Sequence, residues 1–287
     1  MIINPKSGKA NARAKLLDAL NVFSKYGHSV EVYVTQKSKD AQLKAKEEGY
    51  KYDLVIACGG DGTLNEVTNG LMCNEIKPII GYFPTGTMND FGSNFNLSSD
   101  WKETAERICT GEIHEFDVGL FNNESYFDYV AAFGAMCDVP YVTPQDIKNQ
   151  LGNLAYLIEG LGRITEIKPI KVKVTTKEKT EEFTSILGTV FSGNRVSGIE
   201  FISKEEGKVD DGIFNCVIVE YPGNIIEQDY LSFFTGMQSK AFHWYKSDEI
   251  TLEFMDEDVK WTIDGEKADS SKTVNIRNIN RALRILN

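Results

Sequence analysis

No stretch of this chain approaches the roughly 18 consecutive apolar residues of a membrane-spanning helix, so no transmembrane segment is expected. Histidine is scarce: there are three, all isolated. The five cysteines (Cys58, Cys73, Cys109, Cys137, Cys216) show no C-x-x-C spacing. That removes a zinc site and a disulfide framework and fits a reducing cytoplasm. Positive charge is in deficit, since 31 Lys and Arg against 42 Asp and Glu leave a net charge of −11. A nucleic-acid backbone demands a basic face, so nucleic acid is excluded as a partner, and so is tight nonspecific adhesion to an anionic bilayer. The opening Met1-Ile2-Ile3-Asn4-Pro5-Lys6 has no charged segment followed by a long apolar core, and no signal peptide is expected. Low-complexity linkers and internal repeats are missing too, so any domains should abut closely.

What is present is an ordinary globular composition, 41% hydrophobic and 25% charged over 287 residues, enough for one large or two ordinary domains. Residues 1 to about 112 alternate strand and helix. A strand stub at 1–3 precedes a helix whose Ala12, Leu16, Ala19, Leu20 and Phe23 share one face and which Gly27 ends. A strand at 29–35, a polar helix at 40–48 and a buried strand from Leu54 follow. Next come a helix from near Thr63 (Leu64, Val67, Leu71), a strand at 78–83 and a helix from about Ser99 that Gly111 stops. This is the pattern of a doubly wound α/β domain. Beyond it strands dominate, at 115–121, 126–133, 170–176, 183–191, 212–220, 249–254, 259–263 and 273–277, with helices at about 145–163 and 224–238. Strands at hairpin spacing predict a C-terminal β-sandwich or barrel. The expected division is 1–112 and 113–277, with 278–287 packing back on the first domain and a ligand cleft between the two.

The chain is organised around Leu54-Val55-Ile56-Ala57-Cys58-Gly59-Gly60-Asp61-Gly62-Thr63. A buried strand, a glycine loop and a helix start together make a phosphate cradle, because glycine lets the backbone approach an anion and the helix dipole favours negative charge. A bare carboxylate at Asp61 would repel phosphate, so it makes sense as a holder of Mg²⁺ or of a proton donor. Glycine turns after buried strands are common, and the company this one keeps gives it weight. Asn4-Pro5-Lys6-Ser7-Gly8 and Gly86-Thr87-Met88-Asn89-Asp90 also follow strands, and carboxyl ends of parallel strands are where ligands bind. Asp117, between Phe116 and Val118, is a carboxylate in a strand and needs a partner. Asp264-Gly265-Glu266, alone, reads as a solvated hairpin turn.

These three loops and the terminal Asp-Gly-Glu, in this order, resemble the diacylglycerol kinase catalytic domain family of soluble lipid kinases across essentially the whole chain. Met88 is a departure, standing where the family has Gly or Thr. The resemblance implies an N-terminal domain like those of NAD kinase and phosphofructokinase, ATP and Mg²⁺ as cofactors, and a lipid alcohol, diacylglycerol before others, as phosphoryl acceptor. It places Asn4, Ser7, Gly8, Thr35, Gly59, Gly60, Gly62, Thr63, Glu66 and Thr85 about the nucleotide, with Lys9 near the phosphates. Asp61, Asp90 and Asp117 resemble the family's acidic network around Mg²⁺, and Glu266 its general base. Asp211, with main-chain carbonyls near Lys208 and Ile213, resembles a structural Mg²⁺ segment.

Ile147, Leu151, Leu154, Ala155, Ile158 and Leu161 repeat at helical spacing beside Lys148, Arg163 and Lys168. Such a stripe is core or the wall of an acyl groove. The resulting expectation is a cytoplasmic enzyme that visits the bilayer surface, with sheet edges in its second domain open to homodimer pairing. The alternatives are an NAD kinase-like phosphotransferase, which shares the Gly-Gly-Asp-Gly-Thr turn, and a nucleotide-binding regulator without turnover. Asn65-Glu66-Val67 and the terminal Asp-Gly-Glu favour the lipid kinases over the first, and the presence of all four acids weighs against the second.

Overall fold

The structure, a computed structural model, describes residues 1–7, 12–138, 168–196, 199–221, 241–255 and 258–287. Gly8, Lys9, the helices expected at about 145–163 and 224–238, and the stripe from Ile147 to Leu161 lie outside the described residues.

The N-terminal strands β1 (Ile2–Ile3), β2 (Tyr33–Val34), β3 (Leu54–Gly59) and β4 (Ile79–Pro84) are parallel, in the spatial order β2-β1-β3-β4. Side chains alternate across a strand, and here both faces are covered. Val55 and Ala57 pack with Ala41 and Ala45 of α2 (Asp40–Glu48) and Leu64, Val67 and Leu71 of α3 (Asp61–Leu71). Ile56 and Cys58 face Ala19, Val22 and Phe23 of α1 (Ala12–Lys25). On the same side lie Trp101, Ala105 and Ile108 of α5 (Trp101–Thr110), which follows the short α4 (Asp90–Asn94). Helices on both faces make this half doubly wound. The strand expected at 29–35 is only Tyr33–Val34, because among the described residues its ladder partner is β1, which offers two residues.

The remaining strands are β5 (Ile113–Phe121), β6 (Ser125–Phe127), β7 (Val130–Gly134, followed by the four-residue α6, Ala135–Asp138), β8 (Ile170–Thr175), β9 (Thr180–Phe191), the small pair β10 (Arg195–Val196) and β11 (Ile199–Glu200), β12 (Phe214–Glu220), β13 (Phe242–Ser247), β14 (Glu249–Phe254), β15 (Val259–Ile263), β16 (Glu266–Ser271) and β17 (Thr273–Leu286). All but the small pair join one antiparallel array. The array folds over on itself. Phe127 of β6 stacks on Phe214 of β12 at 5.3 Å between ring centres, and Phe121 of β5 meets Trp261 of β15 at 5.2 Å, although neither pair of strands is hydrogen-bonded. A second core fills the space, with Phe133, Val190, Leu252 and Ile276 among its fully buried members.

β17 ties the halves together. It pairs antiparallel with β14 and β5 and then parallel with β4, Ile285 opposite Ile80. The strand expected at 273–277 therefore runs to Leu286. Its register slips between Ile279 and Leu283, where Arg281 adopts φ 48°, and this bulge interrupts the alternation a strand reading depends on. The single strand expected at 126–133 is two, β6 and β7, broken at Asp128 and Tyr129. The N–H groups there are drawn off to a carboxylate far away in sequence, described below.

Candidate active site

The matched register of β1, β3 and β4 (Ile3 opposite Cys58, Cys58 opposite Phe83) ends the three strands level and brings their loops together. Asn4 donates its main-chain N–H to Cys58 O and its Nδ2 to Thr63 Oγ1 at 3.2 Å. Ser7 Oγ lies 3.0 Å from Thr85 Oγ1, and Thr85 N–H donates to Gly59 O. Thr35, buried at the end of β2, donates both N–H and Oγ1 to Ile3 O. At the turn of the β4 loop Asn89, at φ 52°, accepts from Gly86 N–H at Oδ1 and donates back from Nδ2 to Gly86 O. The loops cross closely enough to demand glycine at position 86, where a Cβ would sit 2.6 Å from Gly60 Cα.

Gly60 is also the N-cap of α3, and among the described residues no side chain caps that helix. Its first N–H groups and its dipole are therefore presented at the loop crossing, where an anion would be held. Asp61, half-buried, receives the N–H groups of Asp90 (3.3 Å) and Phe91 (3.4 Å), so it closes the N-terminus of α4. Burial, then the neighbouring Asp90 and Asp264, push the Asp61 carboxyl up to about 7. Asp90 itself is fully buried.

Glu266 comes to this place from the far end of the chain. A Cβ on Gly62 would lie 3.1 Å from Glu266 Oε1, so the carboxylate stands against the first turn of α3 while remaining exposed. The β15–β16 turn that delivers it is a two-residue hairpin, Ile263 opposite Glu266, with Asp264 at φ 47° and Gly265 at φ 84°. Positive φ at both central residues is the type I′ requirement that an Asp-Gly pair meets. Asp264 is not solvated as expected but 3% exposed. Its Oδ2 accepts from Asn65 Nδ2 (2.7 Å) and Asp128 N–H (2.6 Å), its Oδ1 from the N–H groups of Tyr129 (3.1 Å) and Val130 (3.0 Å). These bonds cause the break between β6 and β7.

Asp128 lies in the same buried region and accepts from Thr68 Oγ1 at 2.6 Å. Burial, then the charge of Asp264, raise its carboxyl well above the usual range. Burial also raises Asp264, to about 6, and the donors on its oxygens hold it back. Both shifts favour the protonated form, and each carboxyl opposes the ionisation of the other. Asp128 escaped the sequence reading, and Asp264 and Asn65 entered it only as motif positions without a role in the site. The signal for Asp128 was present, an acid inside the apolar run Tyr126–Phe133, the same reasoning that singled out Asp117.

Asp117 is placed elsewhere than beside Asp61 and Asp90. Its buried carboxylate accepts from Gly212 N–H (2.7 Å), Arg281 N–H (2.8 Å) and Asn278 Nδ2 (3.2 Å), which joins β5 to the 208–213 segment and to the β17 bulge. Burial raises its carboxyl, and these donors oppose the rise. In that segment Lys208 O accepts from Gly193 N–H, and exposed Asp211 accepts at Oδ1 from Ile213 N–H. Among the described residues no three His, Cys, Asp or Glu side chains are arranged to hold a metal, so a cation here must draw on carbonyls. Asp211 with the carbonyls of Lys208 and Ile213 is an all-oxygen set of the kind magnesium takes, and such oxygens keep lone pairs beyond one hydrogen bond. Glu66 is engaged structurally: its two oxygens receive the N–H groups of Lys39 (2.8 Å) and Ala41 (3.1 Å) at the start of α2.

Residues 1–121 match the diacylglycerol kinase catalytic domain family. A diacylglycerol kinase of Staphylococcus epidermidis is 33% identical over 271 residues, 93% of this chain and 84% of that relative. One from Staphylococcus aureus is 32% identical, over 93% and 85%. A solved structure from Bacillus anthracis str. Sterne superposes with a TM-score of 0.83 at 26% identity, over 99% of this chain and 95% of that one. A diacylglycerol kinase of the same organism, at 23% identity and a TM-score of 0.77 over 99% and 94%, shares the fold.

Proposed function

The chain belongs to the diacylglycerol kinase family and is a lipid kinase, and from that premise we propose that it transfers the γ-phosphoryl group of ATP to the hydroxyl of diacylglycerol, with Mg²⁺, to give phosphatidic acid. The observation that supports this reading is the juxtaposition of Glu266 with Gly62, which sets a carboxylate from the last hairpin against the glycine loop. Phosphoryl transfer has a loose transition state, so the protein mainly positions groups and neutralises charge. In this reading Asn4, Ser7, Gly8, Thr35, Gly59, Gly60, Gly62, Thr63 and Thr85 border the nucleotide, whose phosphates face the uncapped start of α3, and Lys9 adds positive charge there. Glu66 contributes through its hold on the start of α2.

Glu266 accepts the proton of the lipid hydroxyl as the new P–O bond forms, a role that asks for an accessible carboxylate within hydrogen-bonding reach of the acceptor. Asp61 and Asp90 would hold the magnesium that accompanies the nucleotide, and Lys208, Asp211 and Ile213 a structural one. When bound, the first spreads the charge that builds on the phosphate oxygens. Asp117 supports the second by fixing Gly212. The division of labour is residues 1–112 for the nucleotide and 113–277 for the lipid, with 278–287 returning to the first unit. Among the described residues no helix is long and apolar enough to cross a membrane; in this reading the substrate is met at the bilayer surface.

Release of ADP from Mg·ATP tests this, measured across diacylglycerol, a long-chain base and phosphatidylglycerol in mixed micelles and across NAD in buffer. Turnover with diacylglycerol is expected. Turnover with NAD alone would overturn the reading, as would ATP binding with no turnover on any acceptor.

A further inference from the structure

Asp264 and Glu266 address the same face of one helix. Asp264 accepts from Asn65 of α3, and two residues later the Glu266 carboxylate abuts Gly62, three residues earlier on α3 and so on the same side of it. The turn between them has little freedom. Asp264 N–H donates to Val130 O at 2.9 Å, and its carboxylate gathers three consecutive main-chain N–H groups, those of Asp128, Tyr129 and Val130. Asn65 is itself fixed, since its Nδ2 also donates to Tyr126 O and its Oδ1 accepts from Asn69 Nδ2. Asn69 in turn exchanges two hydrogen bonds with the Tyr126 main chain, much as a strand partner would. Nothing comparable holds Glu266 by its own side chain. Among the described residues nothing hydrogen-bonds its carboxylate; its main chain pairs with Ile263 across the hairpin, and its carbonyl also accepts from Thr262 Oγ1.

We propose that Asp264 is the positioning residue of the reaction, a buried carboxylate that bolts the β15–β16 turn to α3 and so determines where Glu266 stands over the phosphate-facing end of that helix. The proposal rests on Glu266 being the general base. A hydrogen-bonded acid at this turn aligns the base without touching substrate. Its loss shifts the base by a fraction of an ångström to an ångström, a displacement that costs about 10- to 100-fold in turnover.

The test is a double-mutant cycle on kcat with Mg·ATP and diacylglycerol micelles, using Asp264→Asn, Glu266→Ala and the two combined. In the parent background Asp264→Asn should lower kcat at least tenfold and leave the KM for ATP within twofold. In the Glu266→Ala background it should lower kcat less than twofold, because the group it positions is gone. An equal loss in both backgrounds would reduce Asp264 to a structural role and overturn the proposal, as would full activity of Asp264→Asn. Full activity of Glu266→Ala would remove the general base and this proposal with it, and that result is distinct because it appears in the single Glu266 variant. If Asp264→Asn does not fold, Asn65→Ala removes one of the four donors to the carboxylate. It should show a smaller loss with the same dependence on Glu266, and equal losses in both backgrounds would again contradict the proposal.

Discussion

A methyl group on Gly86 would stand 2.6 Å from the Cα of Gly60, so the loops after β4 and β3 touch backbone to backbone. No side chain can yield there to make room. Gly86→Ala must therefore part the loops, moving Thr85 and Ser7 with them, and should lower kcat/KM for ATP about 10- to 100-fold. Initial rates of ADP release with ATP varied would show it. An unchanged value would mean the crossing is not part of the nucleotide site.

Glu66 spans from α3 to the uncapped start of α2, where Lys39 and Ala41 each donate to one of its oxygens. In Glu66→Gln one of those donors faces an amide N–H₂ in place of an oxygen. The variant should lose about 1–2 kcal/mol of stability, the usual worth of a helix cap. A urea midpoint read by far-ultraviolet circular dichroism measures this, and an unchanged midpoint would contradict the capping role.

The Asp128–Asp264 pair sets a pH dependence with a definite sign. Both carboxyls titrate higher in the folded chain than in the unfolded one, Asp264 at about 6 and Asp128 well above the usual range. Above the unfolded value of about 4 the folded state then binds more protons than the unfolded state, so this pair makes stability fall as pH rises from about 4 through 6 and beyond. Asp128→Asn keeps an acceptor for Thr68 and removes the titration. Relative to the parent it should be more stable at pH 8 than at pH 5, by thermal midpoint. A pH-independent difference would contradict the upward shift of the Asp128 carboxyl.

Asp117 and Asp61 are expected from the sequence in one acidic network but make different contacts, and they should separate in a stability measurement. Removing the Asp117 carboxylate leaves the N–H groups of Gly212 and Arg281 and Asn278 Nδ2 without their acceptor. Asp117→Ala should cost about 2–3 kcal/mol in metal-free buffer. Asp61→Asn leaves only two long bonds changed, those from Asp90 and Phe91. It should cost less than about 1 kcal/mol under the same conditions, and equal costs would place Asp117 in the Asp61 group after all.

The doubly wound half is legible because its signals are local. Val55, Ile56, Ala57 and Cys58 cover both faces of one strand, and glycine follows at the loop. The second half is less so. β16 reads Glu-Lys-Ala-Asp-Ser-Ser, polar along its length because it is an exposed sheet edge, and periodicity has nothing to register there. β17 loses its alternation at the Arg281 bulge. The break at Asp128 depends on a carboxylate 136 residues downstream, which no window on the sequence contains. The Asp-Gly-Glu turn shows the same limit: a hairpin turn is readable, and the burial of its aspartate is not.

The most direct test compares the parent with Glu266→Gln for phosphoryl transfer from Mg·ATP to diacylglycerol in mixed micelles, with ATP affinity measured alongside. A carboxylate that takes the hydroxyl proton predicts a fall in kcat of at least about 100-fold with ATP affinity unchanged. Retained turnover in Glu266→Gln would contradict it and leave the hairpin carboxylate without a part in the chemistry.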